Sequence, residues 1–203
     1  MSTAESAGPG DGRLRRGARS RGIITRHAVD IASVDGLGGI SFGRLADELE
    51  ISKAGIQTLF RTKENLQLAT ARTAGEVFVD EVIEPAVNAP EGMARLRALI
   101  DRWIDYAERP LFPGGCFWSA NLPEFDSHPG PIRDLLLLQH RAWLATLARQ
   151  LRASSVEPVA GSTEIDARVF QIDALLKGAN IALRLGADDA VPLLRTALAA
   201  LVP

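Results

Sequence analysis

The run Lys53-Ala54-Gly55-Ile56-Gln57-Thr58-Leu59-Phe60 carries the most specific chemistry in the chain. As a helix it turns Ile56, Leu59 and Phe60 inward and leaves Lys53, Gln57 and Thr58 on the exposed side. A glutamine can pair with adenine through two hydrogen bonds in the major groove, and a threonine can offer its methyl to thymine. Ala54 and Gly55 are small enough to let such a helix approach base edges. A second group lies upstream. Residues 13–26 hold six arginines and no acid: Arg13, Arg15, Arg16, Arg19, Arg21 and Arg26. Such an arm can neutralise phosphates or reach a minor groove. A third group, Cys116 with His128 and His140, could make a thiol nucleophile only if the sulfur and an imidazole came within about 3 Å. A cysteine beside Phe117 and Trp118 reads better as a small buried hydrophobe. Three histidines and one cysteine, widely spaced, form no metal-ligand pattern. Neither a catalytic residue nor a metal or other cofactor is expected.

The elements that must position the first group are short. Ser41 is a candidate N-cap, followed by Phe42, Leu45, Ala46 and Leu49 at helical spacing. Glu50-Ile51-Ser52 is a turn, and Ser52 caps the helix from Lys53 to about Phe60. Thr62 caps a longer helix opening Lys63-Glu64-Asn65-Leu66. Two short helices joined by such a turn make a helix-turn-helix, whose second helix can enter a major groove. Ser41, with the free N–H groups of its helix start, is a candidate phosphate holder, and Arg44 a second.

The stretch from Ile40 to Leu66 resembles the DNA-binding domain of the TetR family of transcriptional regulators. The resemblance rests on Ile51-Ser52-Lys53-Ala54-Gly55-Ile56, then Phe60, then Lys63-Glu64-Asn65-Leu66. Where that family usually places Tyr and His, this chain has Gln57, Thr58 and Leu59. The resemblance implies a backbone-phosphate role for Lys63. It also implies that the helix from Lys63 to about Val87 transmits ligand binding to the spacing of two DNA-binding heads.

Composition sets wide bounds. The chain has 203 residues, of which 46% are hydrophobic and 24% charged, as in a globular protein. Its net charge of −2 hides an asymmetry. Residues 1–66 hold 10 Lys+Arg against 8 Asp+Glu, and the remainder 13 against 17. A single cysteine excludes an intrachain disulfide and fits a reducing, cytoplasmic setting. No apolar run approaches the roughly 20 residues of a membrane span, and residues 1–12 lack the apolar core of a signal peptide.

The remaining chain reads as helices throughout. The first runs from about Arg19 or Ser20 to Val34, with Ile23, Ile24, Ala28, Ile31 and Ala32 on one face. Asp35-Gly36-Leu37-Gly38-Gly39 is a glycine-rich turn without the Lys-Ser/Thr ending of a phosphate loop. Helices are expected over Met93–Glu108, Cys116–Leu122, Ile132 to about Ala153, Thr163 to about Leu185, and Asp189–Leu201. Residues 156–161 read as a linker. All three tryptophans, Trp103, Trp118 and Trp143, fall in this body, with Tyr106, Phe112, Phe117 and Phe125. They either line a ligand cavity or fill the core, and helical spacing does not decide between the two. Asn121, Gln139 and His140 are candidate polar fixings for a largely apolar ligand. Ala174, Gly178 and Ala182 repeat every four residues and would let another helix approach closely. The family resemblance assigns this stripe, with Gln171, Leu175, Leu194 and Leu198, to a four-helix homodimer interface.

The expected architecture is all-α. Residues 1–18 form a disordered basic tail, 19–66 a helix-turn-helix DNA-binding domain, and 67–203 a helical ligand-binding and dimerisation domain. The expected function is a ligand-responsive, DNA-binding transcriptional regulator. On family grounds it is a repressor that binds a near-palindromic operator as a dimer and is released by a small, largely apolar effector. The competing reading is a small-molecule-binding helical protein that has lost specific DNA binding.

Overall fold

The computed structural model describes residues 9–109, 111–154 and 162–202, and among these it contains helices and no strand. Helix α1 spans Pro9–Asp35. It begins well before the expected start at Arg19 or Ser20. Residues 9–18, expected in a disordered tail, are therefore helical, and residues 1–8 lie outside the described residues. Pro9 sits where its missing N–H has no intrahelical partner to lose, and Leu14 and the arginines that follow are good helix formers.

A 3-10 turn, Leu37–Gly39, leads into α2 (Phe42–Leu49) and α3 (Lys53–Phe60). Both short helices are capped as their sequences predict. Ser41 Oγ accepts from Arg44 N and Ser52 Oγ from Gly55 N, each at 3.1 Å. The intervening turn places Glu50 in the left-handed region, φ 55°, a conformation non-glycine residues adopt at a cost. Ile24, Ala28, Val29, Ile31 and Ala32 of α1 are buried together with Leu37, Ile40, Leu45, Ile56, Phe60 and Leu66. Ile23, expected on that face, is half exposed.

Helix α4 (Lys63–Phe78) is capped by Thr62 Oγ1, which accepts from Asn65 N at 3.1 Å. It continues through a π-helical turn, Val79–Ile83, into the short α5 (Glu84–Ala86). Pro85 supplies the cause. It has no N–H to give Glu81 in the α register, and the neighbouring Glu84 N–H reaches back five residues to Val79.

The body adds α6 (Met93–Glu108), α7 (Phe117–Phe125), α8 (Pro131–Ser154), α9 (Ser162–Arg184) and α10 (Ala190–Leu198). The expected linker 156–161 lies outside the described residues. Helix α1 packs along both α4 and α7, so one continuous core runs from the head into the body. The loop before α7 is wedged against α1. Gly114 N donates to Ser33 Oγ at 2.9 Å, and a Cβ at Gly114 would fall 1.8 Å from Ser33 O. Only glycine fits that approach. Among the described residues, no helix is long and apolar enough to cross a membrane.

Candidate nucleic-acid interface and body cavity

The exposed side of α3 is formed as expected. Lys53, Ala54, Gly55, Gln57 and Thr58 are all exposed, while Ile56 and Phe60 are buried. The Thr58 hydroxyl donates to Ala54 O at 2.8 Å within its own helix, so its methyl is what it has to offer a base. Ser41 is exposed at the start of α2, and Arg19 is exposed on α1.

Three of the expected phosphate ligands are tied into the protein. Arg21 donates to Leu59 O at 3.0 Å and lies 4.5 Å over the Phe60 ring. It places a cation at the C-terminus of α3, where the helix dipole favours one. Arg44 pairs with Glu48 at 2.7 Å and with Asp35 at 2.5 Å. The Glu48 hydrogen bond, then that of Asp35, pushes its guanidinium further above its already high pKa. Glu48 is held below the usual carboxylate range by Arg44 and then by His27, whose Nε2 lies 2.6 Å from Glu48 Oε2. Arg44 therefore closes the head on itself through Nε and Nη1, with its side chain still partly exposed. Lys63 Nζ donates to Gly38 O at 2.7 Å but stays exposed, with two further N–H groups.

The glycine-rich turn is the junction between head and body. Two of its N–H groups go to α7: Leu37 N to Asn121 Oδ1 at 2.7 Å and Gly38 N to Glu124 Oε1 at 2.8 Å. Its carbonyls take α4: Gln67 Nε2 to Leu37 O at 2.8 Å, and Lys63 to Gly38 O. Asn121 Nδ2 also donates to Ala32 O and Phe117 O. Asn121, expected to fix a ligand, is thus fully buried and committed to holding α7 against the head.

A cavity of ≈ 40 Å³ lies between α4, α6, α7, α8 and α9. Its walls are Phe78, Trp103, Trp118 and Trp143, with Cys116, Gln139, His140, Asp173, Leu176 and Lys177. Phe78 is the hub, with ring centroids 5.0 Å from Trp118 and 5.3 Å from Trp143. Phe78, Trp118, Gln139 and Trp143 also line an open groove of ≈ 540 Å³ between α4 and α8. Trp103, Trp118, Trp143, Gln139 and His140 are therefore brought together as expected. Tyr106, Phe112, Phe117 and Phe125 are not in these walls. Tyr106 accepts from Phe117 N at 3.0 Å, and burial pushes its phenol well up. Phe112 stacks edge-on against Tyr106 and under Arg26, Phe117 is fully buried in the core, and Phe125 meets His128. These four are packing residues.

Sequence reasoning missed Asp173 and Lys177. Asp173 Oδ2 takes Lys177 Nζ at 2.7 Å and lies 3.0 Å from His140 Nε2. Burial works to raise the Asp173 carboxyl, but the hydrogen bonds of His140 and Lys177 outweigh it and hold the group below its ordinary value. A carboxylate and a cation four residues apart on a mostly apolar helix were a usable signal. Cys116 is buried, and burial pushes its thiol up, the opposite of thiolate activation. His140 shares its cavity but is committed to Asp173 and Lys177. His128 instead lies 2.9 Å from Glu124 O. Among the described residues, no group of His, Cys, Asp or Glu is placed to hold a metal ion.

On the outer face of α9, Gln171, Ala174 and Gly178 are exposed, and Leu175 and Ala182 are partly so. The same face shows Phe170, Ile181 and Leu185, 72%, 57% and 82% exposed, joined by Leu193 of α10 at 60%. Extending the four-residue stripe by helical spacing would have found Phe170, Ile181 and Leu185. Leu194 and Leu198 point the other way. Both are buried in the protomer core, because the apolar face of α10 packs against its own chain.

Residues 92–199 match the family model described as "Tetracyclin repressor-like, C-terminal domain". No curated protein matches the chain. Among solved structures, a TetR transcriptional regulator from Chloroflexus aurantiacus is 24% identical with a TM-score of 0.78, over 93% of this chain and 94% of that one. AibR, in complex with isovaleryl coenzyme A and operator DNA, is 19% identical with a TM-score of 0.63, over 77% and 84%. A regulator from Saccharomonospora viridis in complex with choline is 18% identical with a TM-score of 0.71, over 89% and 96%. These likenesses are ones of fold. The family match covers more than half of the chain, from the turn before α6 into α10, and behind a capped helix-turn-helix it places this protein in the tetracycline-repressor-like, or TetR, family of transcriptional regulators.

Proposed function

We propose that this chain is a repressor that binds a near-palindromic operator as a homodimer and is released by a small, largely apolar effector. The observation that carries the DNA reading is the exposed face of α3, where Lys53, Gln57 and Thr58 stand beside the small Ala54 and Gly55. Residues 19–66 form the DNA-binding unit, extended by the earlier turns of α1, and residues 67–203 the effector and dimer unit. Dimerisation through α9 is supported by its exposed apolar face. Two copies of α3 would then meet successive major grooves. Effector binding shifts the head spacing only by its differential affinity for the two body conformations. The route for that shift is α7, which bears Trp118 at the cavity and Asn121 and Glu124 at the turn before α2.

Selection of binding sites from a random DNA library tests this reading. It predicts two inverted half-sites about 10 base pairs apart, centre to centre. Gly178→Leu sharpens the test, because a Cβ added at Gly178 meets nothing in the protomer within 4 Å. The variant should keep or gain thermal stability, since glycine is a poor helix residue. It should also sediment as a monomer and lose the paired half-sites. Recovery of no preferred sequence would instead favour a ligand-binding protein that no longer reads DNA.

A further inference from the structure

We infer that the effector is an uncharged molecule that presents a hydroxyl group on an apolar body, and that this hydroxyl docks between Trp118 Nε1 and Gln139 Oε1. The inference rests on the ligand-responsive reading above and names the chemistry of its site. Trp118 is more than nine-tenths buried, yet its indole N–H has no partner, and neither does Gln139 Oε1. The other end of the Gln139 amide is fixed, with Nε2 donating to Ala71 O at 2.8 Å. The amide orientation is thereby set, and the free atom is the acceptor. One unpartnered buried donor and one unpartnered buried acceptor thus belong to residues that line both the cavity and the groove. Leaving such groups unpaired is costly. A hydroxyl is the smallest group that satisfies both, because its oxygen accepts while its proton donates.

The charges nearby are already matched. Asp173 takes Lys177 and His140 within the wall, so no lone counter-ion waits for a charged ligand. Arg72, Glu76 and Asp80 of the groove are exposed and of mixed sign. The cavity of ≈ 40 Å³ admits a head group, and the groove of ≈ 540 Å³, walled by Phe78 and Trp143, takes the body.

The chain carries three tryptophans and all three line the cavity, so tryptophan fluorescence, excited apart from that of Tyr106, reads this site. The test titrates the whole protein with four para-substituted toluenes: the near-isosteric pair p-cresol and p-xylene, and the ions 4-methylbenzoate and 4-methylbenzylammonium. Saturable binding of p-cresol, at least about tenfold tighter than p-xylene, with neither ion saturating over the same range, is the expected result. The advantage of p-cresol over p-xylene should shrink to within about threefold in Gln139→Leu. Because the comparison among ligands uses the unaltered chain, it stands even if that variant fails to fold. Equal binding of p-cresol and p-xylene would overturn the proposal and leave the two open atoms to water. Tighter binding of either ion, or no binding of p-cresol, would also overturn it. Operator binding measured on the same preparation keeps the regulator reading separate, since it can persist when the ligand class fails.

Discussion

The head and the body treat their polar side chains in opposite ways. On α3, Lys53 and Gln57 are exposed, and the Thr58 hydroxyl is tied to its own helix. In the body, two buried polar groups are matched in full: Asp173 with Lys177 and His140, Asn121 with three backbone partners. A surface proposed to read base edges is kept open. A cavity that must discriminate a ligand is built from groups already satisfied, with a few left short. Truncating Gln57 should therefore cost recognition without stability, and truncating Asn121 should cost stability first.

The largest effect is expected at the junction of the two regions. Asn121→Ala strands Leu37 N–H in the interior and takes the side-chain donor from the Ala32 and Phe117 carbonyls. Denaturant unfolding should show a loss of about 3 kcal/mol. A loss below about 0.5 kcal/mol would mean that α7 does not hold the head. Next comes Gln57→Ala. Specific operator affinity should fall about tenfold while non-specific DNA binding and the melting temperature stay put. An equal fall on all DNA would make Gln57 a mere backbone contact.

A smaller, pH-dependent effect belongs to the body. The Asp173 carboxyl is held low when folded, so its pairing stabilises the protein above the ordinary aspartate range, near pH 4, and is lost as pH falls through the folded value. The stability gap between the unaltered chain and Asp173→Asn should be full at pH 6 and narrow as the pH drops below about 4. A gap that widened with acid would reverse the sign of the assignment. The smallest effect is at Glu50. Glu50→Gly relieves a left-handed backbone at the helix-turn-helix turn and should raise stability by about 0.5 kcal/mol. A clear loss would show that the Glu50 side chain contributes something its geometry hides.

The same contrast explains what could be seen from the sequence. Ser41, Ser52 and Thr62 each cap a backbone N–H three residues on, so the head is written in neighbours and was legible. Asn121 reads from the sequence as a polar fixing for a ligand, and its role at the junction was not legible because Leu37 lies 84 residues away. Arg21 and Arg44 read as phosphate ligands because Leu59 O and Asp35 reach them only by the packing of α1 on α3 and α2, although Glu48, four residues on in α2, is a local partner for Arg44. In the body, the sequence leaves seven aromatics open between cavity and core; Tyr106, Phe112 and Phe117 pack in the core and Phe125 against it, whereas Phe78, Asp173 and Lys177 come to the cavity wall from α4 and α9. Leu194 and Leu198 share one face of α10, and only the packed structure shows that this face turns inward.

The most direct test of the central claim is binding of the purified protein to tiled DNA fragments from around its own coding region, across a salt series. A regulator built on this α3 predicts tight, salt-sensitive binding to one near-palindromic site, at one or two dimers per site. Weak binding of equal strength to every fragment, here and across a genome-wide selection, would contradict it.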